Sequence, residues 1–124
     1  MRETILWQRA EGALICVAAL CALRHLGLPL SPWAMAALFF APDLSFAAYA
    51  FGPRAGAFAY NLLHLYGFGA CIGLVGLIFA QPVLAALGLL WIGHAGADRA
   101  LGYGLKSPQS FVITHLGRIG KTGA

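Results

Sequence analysis

Four long apolar segments limit what this chain can fold into more than any other feature of its sequence. They cover residues 12–28, 32–51, 55–80 and 83–103. Each is close to the length of about 20 residues that a helix needs to cross roughly 30 Å of hydrocarbon. We therefore predict an all-α integral membrane bundle of four transmembrane helices, formed by a single domain over residues 1–124 with a more polar tail at 104–124.

The composition supports a membrane protein and argues against several other classes. Hydrophobic residues make up 60% of the 124 residues and charged residues only 10%, whereas the surface of a soluble domain needs about 25–35% charged residues. An ordinary soluble enzyme, a disordered chain and a nucleic-acid-binding module are therefore not expected. The implied partner is the lipid bilayer, and the net charge of +4 is interpreted as a signal of orientation and of contact with anionic headgroups.

The basic residues are distributed unevenly around the predicted helices. Four crossings place both termini and the turn at 52–54 on one side of the membrane, and only Arg24 lies on the opposite side. The side with the termini carries seven basic residues: Arg2, Arg9, Arg54, Arg99, Lys106, Arg118 and Lys121. Because cytoplasmic loops carry an excess of Lys and Arg, this asymmetry predicts that both termini are cytoplasmic.

Several polar side chains lie inside the predicted spans, where a charge costs about 2.5–3.5 kcal/mol at the helix centre. Such residues usually face the interior of a bundle and carry function. They are Asp43 and Ser45 in the second span, Asn61 and His64 in the third, and His94 and Asp98 in the fourth. The last two pairs have helical spacings of three and four residues, so each pair shares one helix face.

The depth of these residues predicts that they meet. Asp43 and His64 lie eleven and ten residues from Arg54, and His94 lies nine residues before Tyr103. At 1.5 Å per residue, each stands roughly 13–17 Å from the cytoplasmic boundary. We predict a polar cluster near the middle of the membrane that is open or nearly open toward the cytoplasm.

Two features concern packing. Gly69, Gly73 and Gly76 form a stripe of small residues on the third span, which favours close helix contact. Pro42 removes a backbone donor immediately before Asp43 and is expected to loosen the second helix beside the cluster.

Four sequence motifs resemble a known family. They are Pro42-Asp43-Leu44-Ser45, GPRAGAFAYNLLHLY at 52–66, WIGHAGADRALGYGLK at 91–106 and THLGRIG at 114–120. Together they resemble the bacterial membrane family called domain of unknown function 4260, over most of the chain from about residue 40 onward. The resemblance implies a small bacterial multi-pass protein of the cytoplasmic membrane, and it names no reaction.

Our first hypothesis for the cluster is a metal-dependent hydrolase that acts on lipid-like substrates. Imidazole and carboxylate groups suit zinc or another divalent first-row metal, which lowers the pKa of a bound water to about 7. The candidate metal ligands are His64, His94 and Asp98. The candidate catalytic residues are Asp43, as a general base or a further ligand, and Ser45 and Asn61, which would orient reacting groups.

This set is loosely similar to that of ceramidase-like membrane hydrolases, which have more helices and a third histidine. In this chain, His25 and His115 are the residues able to supply a third.

Two hypotheses without catalysis stay open. In the first, the cluster holds a proton, an ion or a small polar solute in a transport role. Because a bundle of four helices is small for a transporter, several copies of the chain would have to form a homo-oligomer. Alternatively, the chain is an accessory or structural subunit of a membrane complex, in which Asp43 or Asp98 pairs with Arg99 and Asn61 pairs with a backbone carbonyl. A b-type haem between His64 and His94 is a less favoured reading. Convergence of the four His and Asp side chains within metal-binding range would favour the enzyme, and separate faces would favour the structural subunit.

Three neighbouring residues receive simpler interpretations. Tyr60 is an interface or packing aromatic, and Trp91 packs between helices. Arg99 either completes a buried ion pair or extends to the cytoplasmic face.

Overall fold

The computed structural model describes residues 2–28 and 30–119 and is mostly helical. Its helices are α1 (Arg2–Leu26), α2 (Pro32–Phe39), a 3₁₀ helix (Ala41–Phe51), α3 (Pro53–Leu63), α4 (Tyr66–Ile78) and α5 (Pro82–Leu101). A small antiparallel sheet follows, with strands β1 (Lys106–Ser107), β2 (Ser110–Thr114) and β3 (Gly117–Arg118) in that order. Lys121 and the rest of 120–124, which belong to the predicted tail, lie outside the described residues.

Helix α5 is the centre of the fold. Helices α1 and α4 pack along it and α2 contacts it, whereas α3 packs mainly against the 3₁₀ helix and the sheet. Glycines allow the closest approaches. A Cβ atom added at Gly96 would lie 2.6 Å from the carbonyl oxygen of Gly12 on α1, and one added at Gly88 would lie 2.7 Å from that of Gly69 on α4. The predicted glycine stripe is therefore a helix-packing surface.

The first helix is longer than the predicted segment 12–28. It begins at Arg2 and includes Glu3, Arg9 and Glu11 before the apolar run starts. A hydropathy pattern detects the part of a helix that suits lipid, whereas helical hydrogen bonding continues through polar residues beyond the membrane. The predicted start at residue 12 is therefore wrong by about three turns.

The third apolar segment, predicted as one helix over 55–80, is instead broken. Helix α3 ends at Leu63, α4 begins at Tyr66, and the two are bent by 48°. The side chains of α5 stabilise this break. Trp91 Nε1 donates to the carbonyl oxygen of Leu63 at 2.6 Å, and Arg99 Nη2 donates to that of His64 at 2.9 Å. Non-helical backbone at membrane depth is tolerated where the protein satisfies its polar groups in this way.

The second apolar segment is also divided. Helix α2 ends at Phe39, and residues Ala41–Phe51 continue as a 3₁₀ helix with Pro42 in its first turn. This change agrees with the expected loosening at Pro42. A 3₁₀ helix of 11 residues is long for this conformation, which rarely exceeds about four residues.

Two or three of the predicted spans are supported by helix length and composition. Among the described residues, α1 and the pair Pro32–Phe51 are long and apolar enough to cross a membrane, and the bent pair of α3 and α4 is a third candidate. Helix α5 is not among them. Large apolar side chains cover the outside of the candidate spans, and Trp33 and Phe51 are 85% and 87% exposed. Such a surface suits contact with lipid.

After the end of α5 the tail packs against α3. Gly102 adopts a left-handed conformation with φ of 92° and ends the helix. The Tyr103 N–H then donates to the Asp98 carbonyl oxygen at 2.8 Å, as in glycine-terminated helices generally. The Asn61 side chain fixes the sheet to α3, because its Oδ1 accepts from Lys106 N at 2.6 Å and its Nδ2 donates to Lys106 O at 2.8 Å.

Candidate metal centre

Four ionisable side chains from three helical elements converge on one point. Asp43 lies in the first turn of the 3₁₀ helix, and His64 is the residue that ends α3. His94 and Asp98 lie one turn apart on α5. One ligand atom from each of the four lies within 4.8 Å of all the others. The breaks in the second and third apolar segments thus occur where the chain contributes a residue to this cluster.

The distances between ligand atoms are short and nearly equal. The Nε2 atoms of His64 and His94 are 3.2 Å apart. Asp43 Oδ1 lies 3.3 Å from His64 Nε2 and 3.1 Å from His94 Nε2. Asp98 Oδ2 lies 3.3 Å and 3.5 Å from the same two nitrogens. A tetrahedral ion with bonds of 2.0–2.1 Å has ligand atoms about 3.3–3.4 Å apart. Five of the six distances between the ligand atoms therefore match the edges of a tetrahedral zinc-type site, and the sixth, between the two carboxylates, is within 4.8 Å.

The imidazole of His64 is held in the tautomer that a metal requires. Its Nδ1 lies 2.8 Å from the carbonyl oxygen of Tyr60. Because a carbonyl only accepts hydrogen bonds, Nδ1 carries the hydrogen, and Nε2 of the neutral ring presents its lone pair to the cluster. The ring also stacks on Tyr60, with centroids 3.7 Å apart and planes 15° apart.

His94 is positioned mainly by aromatic packing. The edges of Phe39 and Phe40 contact its ring, with centroids 5.3 Å and 5.9 Å away. Its Nδ1 is buried and makes no hydrogen bond to the described residues. Only Nε2 faces the cluster, where it lies near His64 and both carboxylates.

The charges and lone pairs of the cluster suit a bound cation. Both histidines are buried, with 0% and 2% of the residue exposed, and two carboxylates share the space with two nitrogen lone pairs. A divalent cation at the centre would be attracted by both carboxylates and both nitrogen lone pairs, and it would cancel the charge of the carboxylates. Within 2–28 and 30–119, no other group of three or more His, Cys, Asp or Glu side chains converges in this way.

Tyr60 belongs to the site although its sequence interpretation is packing. It is 1% exposed, and its hydroxyl donates to Asp98 Oδ2 at 3.1 Å. One signal in the sequence points to this role, because Tyr60 precedes His64 by four residues and so shares its helix face.

Arg99 adopts neither of its two predicted arrangements. It is 4% exposed, and its guanidinium donates to the carbonyl oxygens of His64 and Tyr103 at 2.9 Å and 3.3 Å. It makes no ion pair with a carboxylate in the described part of the chain. Arg99 therefore stabilises the helix break that orients His64.

The structure places the other candidate residues away from the ligand atoms. The Asn61 amide is occupied by the backbone of Lys106. Ser45 is buried, and its hydroxyl has no hydrogen-bond partner among the described residues. Of the two histidines considered as a third ligand, His115 accepts from Leu105 N–H at 2.8 Å and His25 lines an apolar groove. Neither joins the cluster.

A cavity of about 170 Å³ adjoins the carboxylates. Asp43 and Asp98 form one wall, and the other lining residues are Phe46, Tyr60, Tyr103, Lys106, Phe111 and Ile119. The side chain of Asp43 is 35% exposed, against 16% for Asp98. The cavity therefore gives a small molecule access to the carboxylates of Asp43 and Asp98.

A comparison with known families accounts for nearly the whole chain. The family model described as Domain of unknown function (DUF4260) matches residues 5–119, a range that includes most of α1 as well as all four residues of the cluster. No curated protein and no solved structure matches the chain. The motifs quoted above thus indicate the correct family, and the chain belongs to DUF4260.

Proposed function

We propose that this protein is a membrane-embedded, metal-dependent hydrolase of lipid-like substrates. Zinc or another divalent first-row metal binds to Asp43, His64, His94 and Asp98. The observation that carries the proposal is the set of five distances of 3.1–3.5 Å between their ligand atoms. Two imidazoles and two carboxylates form a ligand set suited to such metals.

In this proposal, hydrolysis takes place on the side of the cluster formed by the carboxylates of Asp43 and Asp98. A metal held by these four residues would lower the pKa of a water that joins it as a fifth ligand, and the cavity would bring water and substrate to the side lined by Asp43 and Asp98. Asp43 is the more exposed carboxylate and is the group best placed to accept a proton. The Tyr60 hydroxyl and the Arg99 guanidinium keep Asp98 and His64 in position.

The membrane setting is part of the proposal. Helix α5 has 20 residues, which at 1.5 Å per residue span about 30 Å. Its polar residues His94 and Arg99 are 2% and 4% exposed, so lipid would meet mainly its apolar residues. With α5 as a fourth span, the excess of basic residues orients both termini toward the cytoplasm of a bacterial cell.

Metal analysis and a lipid hydrolysis assay test this function together. Protein purified in mild detergent without chelators should contain about one first-row metal ion per chain. Chelation should abolish hydrolysis of a fluorogenic lipid ester and of a phospholipid, and readdition of the metal should restore it. Protein without metal would overturn the whole proposal. Stoichiometric metal without hydrolysis of either lipid would overturn the enzymatic part and leave a structural metal centre.

A further inference from the structure

The cavity beside the metal cluster contains a buried cation with unused donors. Lys106 lies on β1 with 4% of the residue exposed, and Asn61 fixes its backbone on both sides. Its ammonium lies 3.8 Å from the ring centroid of Phe111 and 4.6 Å from that of Tyr60, and it donates to Phe111 O at 3.2 Å. An ammonium has three donors; one binds Phe111 O, and the other two have only the aromatic rings as partners among the described residues.

The charges around the cavity favour an anion. In the described part of the chain, neither Lys106 nor Arg99 makes an ion pair with a carboxylate. Arg99 does not line the cavity. A divalent metal would cancel the charges of Asp43 and Asp98, so the Lys106 ammonium would remain as an unneutralised charge in the cavity wall. A phosphoryl group carries about −1.5 to −2 at pH 7 and has three strong acceptor oxygens, so it can accept from Lys106 and contact the metal at the same time. A carboxylate carries only −1 and has two oxygens.

Size and surroundings further define the ligand. The cavity of about 170 Å³ is smaller than the 300–1,000 Å³ typical of sites that enclose a whole small molecule. It therefore takes one polar group and leaves the rest of the ligand outside. Phe46 and Phe111 line the cavity and remain 39% and 41% exposed, so they offer apolar contact to that remainder.

We propose that this cavity binds the phosphoryl group of the substrate, with Lys106 donating to its oxygens beside the metal. The inference rests on the proposed metal site and narrows its substrates to phosphate-containing molecules. The phosphoryl group belongs either to a lipid headgroup or to a soluble phosphate compound. Lys106 is a binding residue in this account, held in place by Asn61 and by the aromatic rings around it.

Binding of phosphate by metal-loaded protein in a neutral detergent tests the proposal. Metal content is measured first for each sample and reports on the folding of the cluster. Calorimetric titration then uses inorganic phosphate and dihexanoyl phosphatidic acid. Lys106→Met should keep its metal and bind both ligands at least about tenfold more weakly, since a charged hydrogen bond is lost. Lys106→Arg should retain most of the affinity. Arg54→Met, which removes an exposed cation from α3, should match the wild type.

The outcomes separate this proposal from the proposed function. Tighter binding of the phosphatidic acid than of phosphate would support a lipid headgroup as the source, and similar affinities would support a soluble compound. Metal-loaded wild type that binds neither ligand, or Lys106→Met that binds both as tightly as wild type, would overturn the phosphoryl site and leave the metal site standing. Wild type without metal would overturn both.

Discussion

Helix α5 is held in two different ways: by backbone contact along α4, and by side-chain hydrogen bonds at the part of the molecule that carries the His and Asp cluster, called the polar end below. Along α4, Gly69 and Gly76 bring the backbone into direct contact with α5, where Gly88 and Ala85 face them. At the polar end, side chains of α5 reach across to α3, as in the bonds from Trp91 and Arg99 to the carbonyls at its C-terminus. An apolar groove of about 410 Å³ runs beside the first interface, but no group of metal-ligating side chains converges there in the described part of the chain. The second leaves backbone unwound and side chains convergent, which is the arrangement that a metal site requires.

The largest effect should follow from removal of a ligand at the polar end. His64→Ala and His94→Ala should each lose stoichiometric metal, with affinity reduced by more than about 100-fold, because even partners of metal ligands contribute 10–100-fold. Elemental analysis of purified protein measures this. His25→Ala, a matched control on α1, should retain the metal. Retention of one metal ion per chain by both cluster variants would show that the metal binds elsewhere.

Substitutions in the α4–α5 interface should change the free energy of unfolding and leave metal binding unchanged. A methyl group at Gly76 would collide with the backbone of Ala85, whereas one at Gly73 would lie 3.8 Å from the nearest atom, Gly88 Cα. Gly76→Ala should therefore lower the free energy of unfolding by about 1–3 kcal/mol, while Gly73→Ala should be neutral or stabilising. Unfolding in mixed detergent measures both. Equal effects of the two substitutions would contradict the proposed close packing.

A smaller effect on metal affinity is expected from Tyr60→Phe. The substitution removes the hydroxyl that donates to Asp98 at 3.1 Å and keeps the ring that stacks on His64. Metal affinity should fall by about tenfold, and stability without metal should change little. Competition with a chromophoric chelator measures the affinity. An unchanged affinity would exclude the Tyr60 hydroxyl as a support of the site.

The smallest expected effect is a pH dependence of the free energy of unfolding, which arises from His115 next to the sheet. Burial, followed by the charge of Arg99, lowers the pKa of His115 from its ordinary value of 6.5. The unfolded chain therefore binds this proton more readily than the folded chain, so stability is full above the ordinary pKa and declines as the pH falls below about 6.5. Thermal unfolding at pH 8 and pH 5.5 should show a slightly larger loss for wild type than for His115→Gln. An equal loss would contradict this contribution.

The difference between close helix packing and the site held by side chains of α5 also explains how much of the molecule the sequence predicts. The helical character of the apolar segments, the glycine contacts and the convergence of Asp43, His64, His94 and Asp98 follow from periodicity and depth, which are properties of the local sequence, whereas the start of α1 does not. The break at His64 does not follow, because no proline or glycine marks it. It depends on donors from Trp91 and Arg99 on another helix, and such a tertiary interaction has no signal in the sequence of the third segment.

The tail illustrates the same limit. Its polar residues indicate only a position outside the apolar core of the membrane. The sheet and the burial of Lys106 depend on Asn61, which lies 45 residues earlier in the chain. The role of Asn61 in fixing the sheet is therefore visible only in three dimensions, as is the cavity that Lys106 and Tyr60 form beside the carboxylates.

X-ray absorption spectroscopy of the metal in purified protein tests the central claim most directly. We expect two imidazole nitrogens and two carboxylate oxygens at about 2.0–2.2 Å around a four-coordinate ion in the absence of substrate, with one imidazole lost or the metal absent in His64→Ala. A spectrum without imidazole scattering, or one that His64→Ala leaves unchanged, would contradict it.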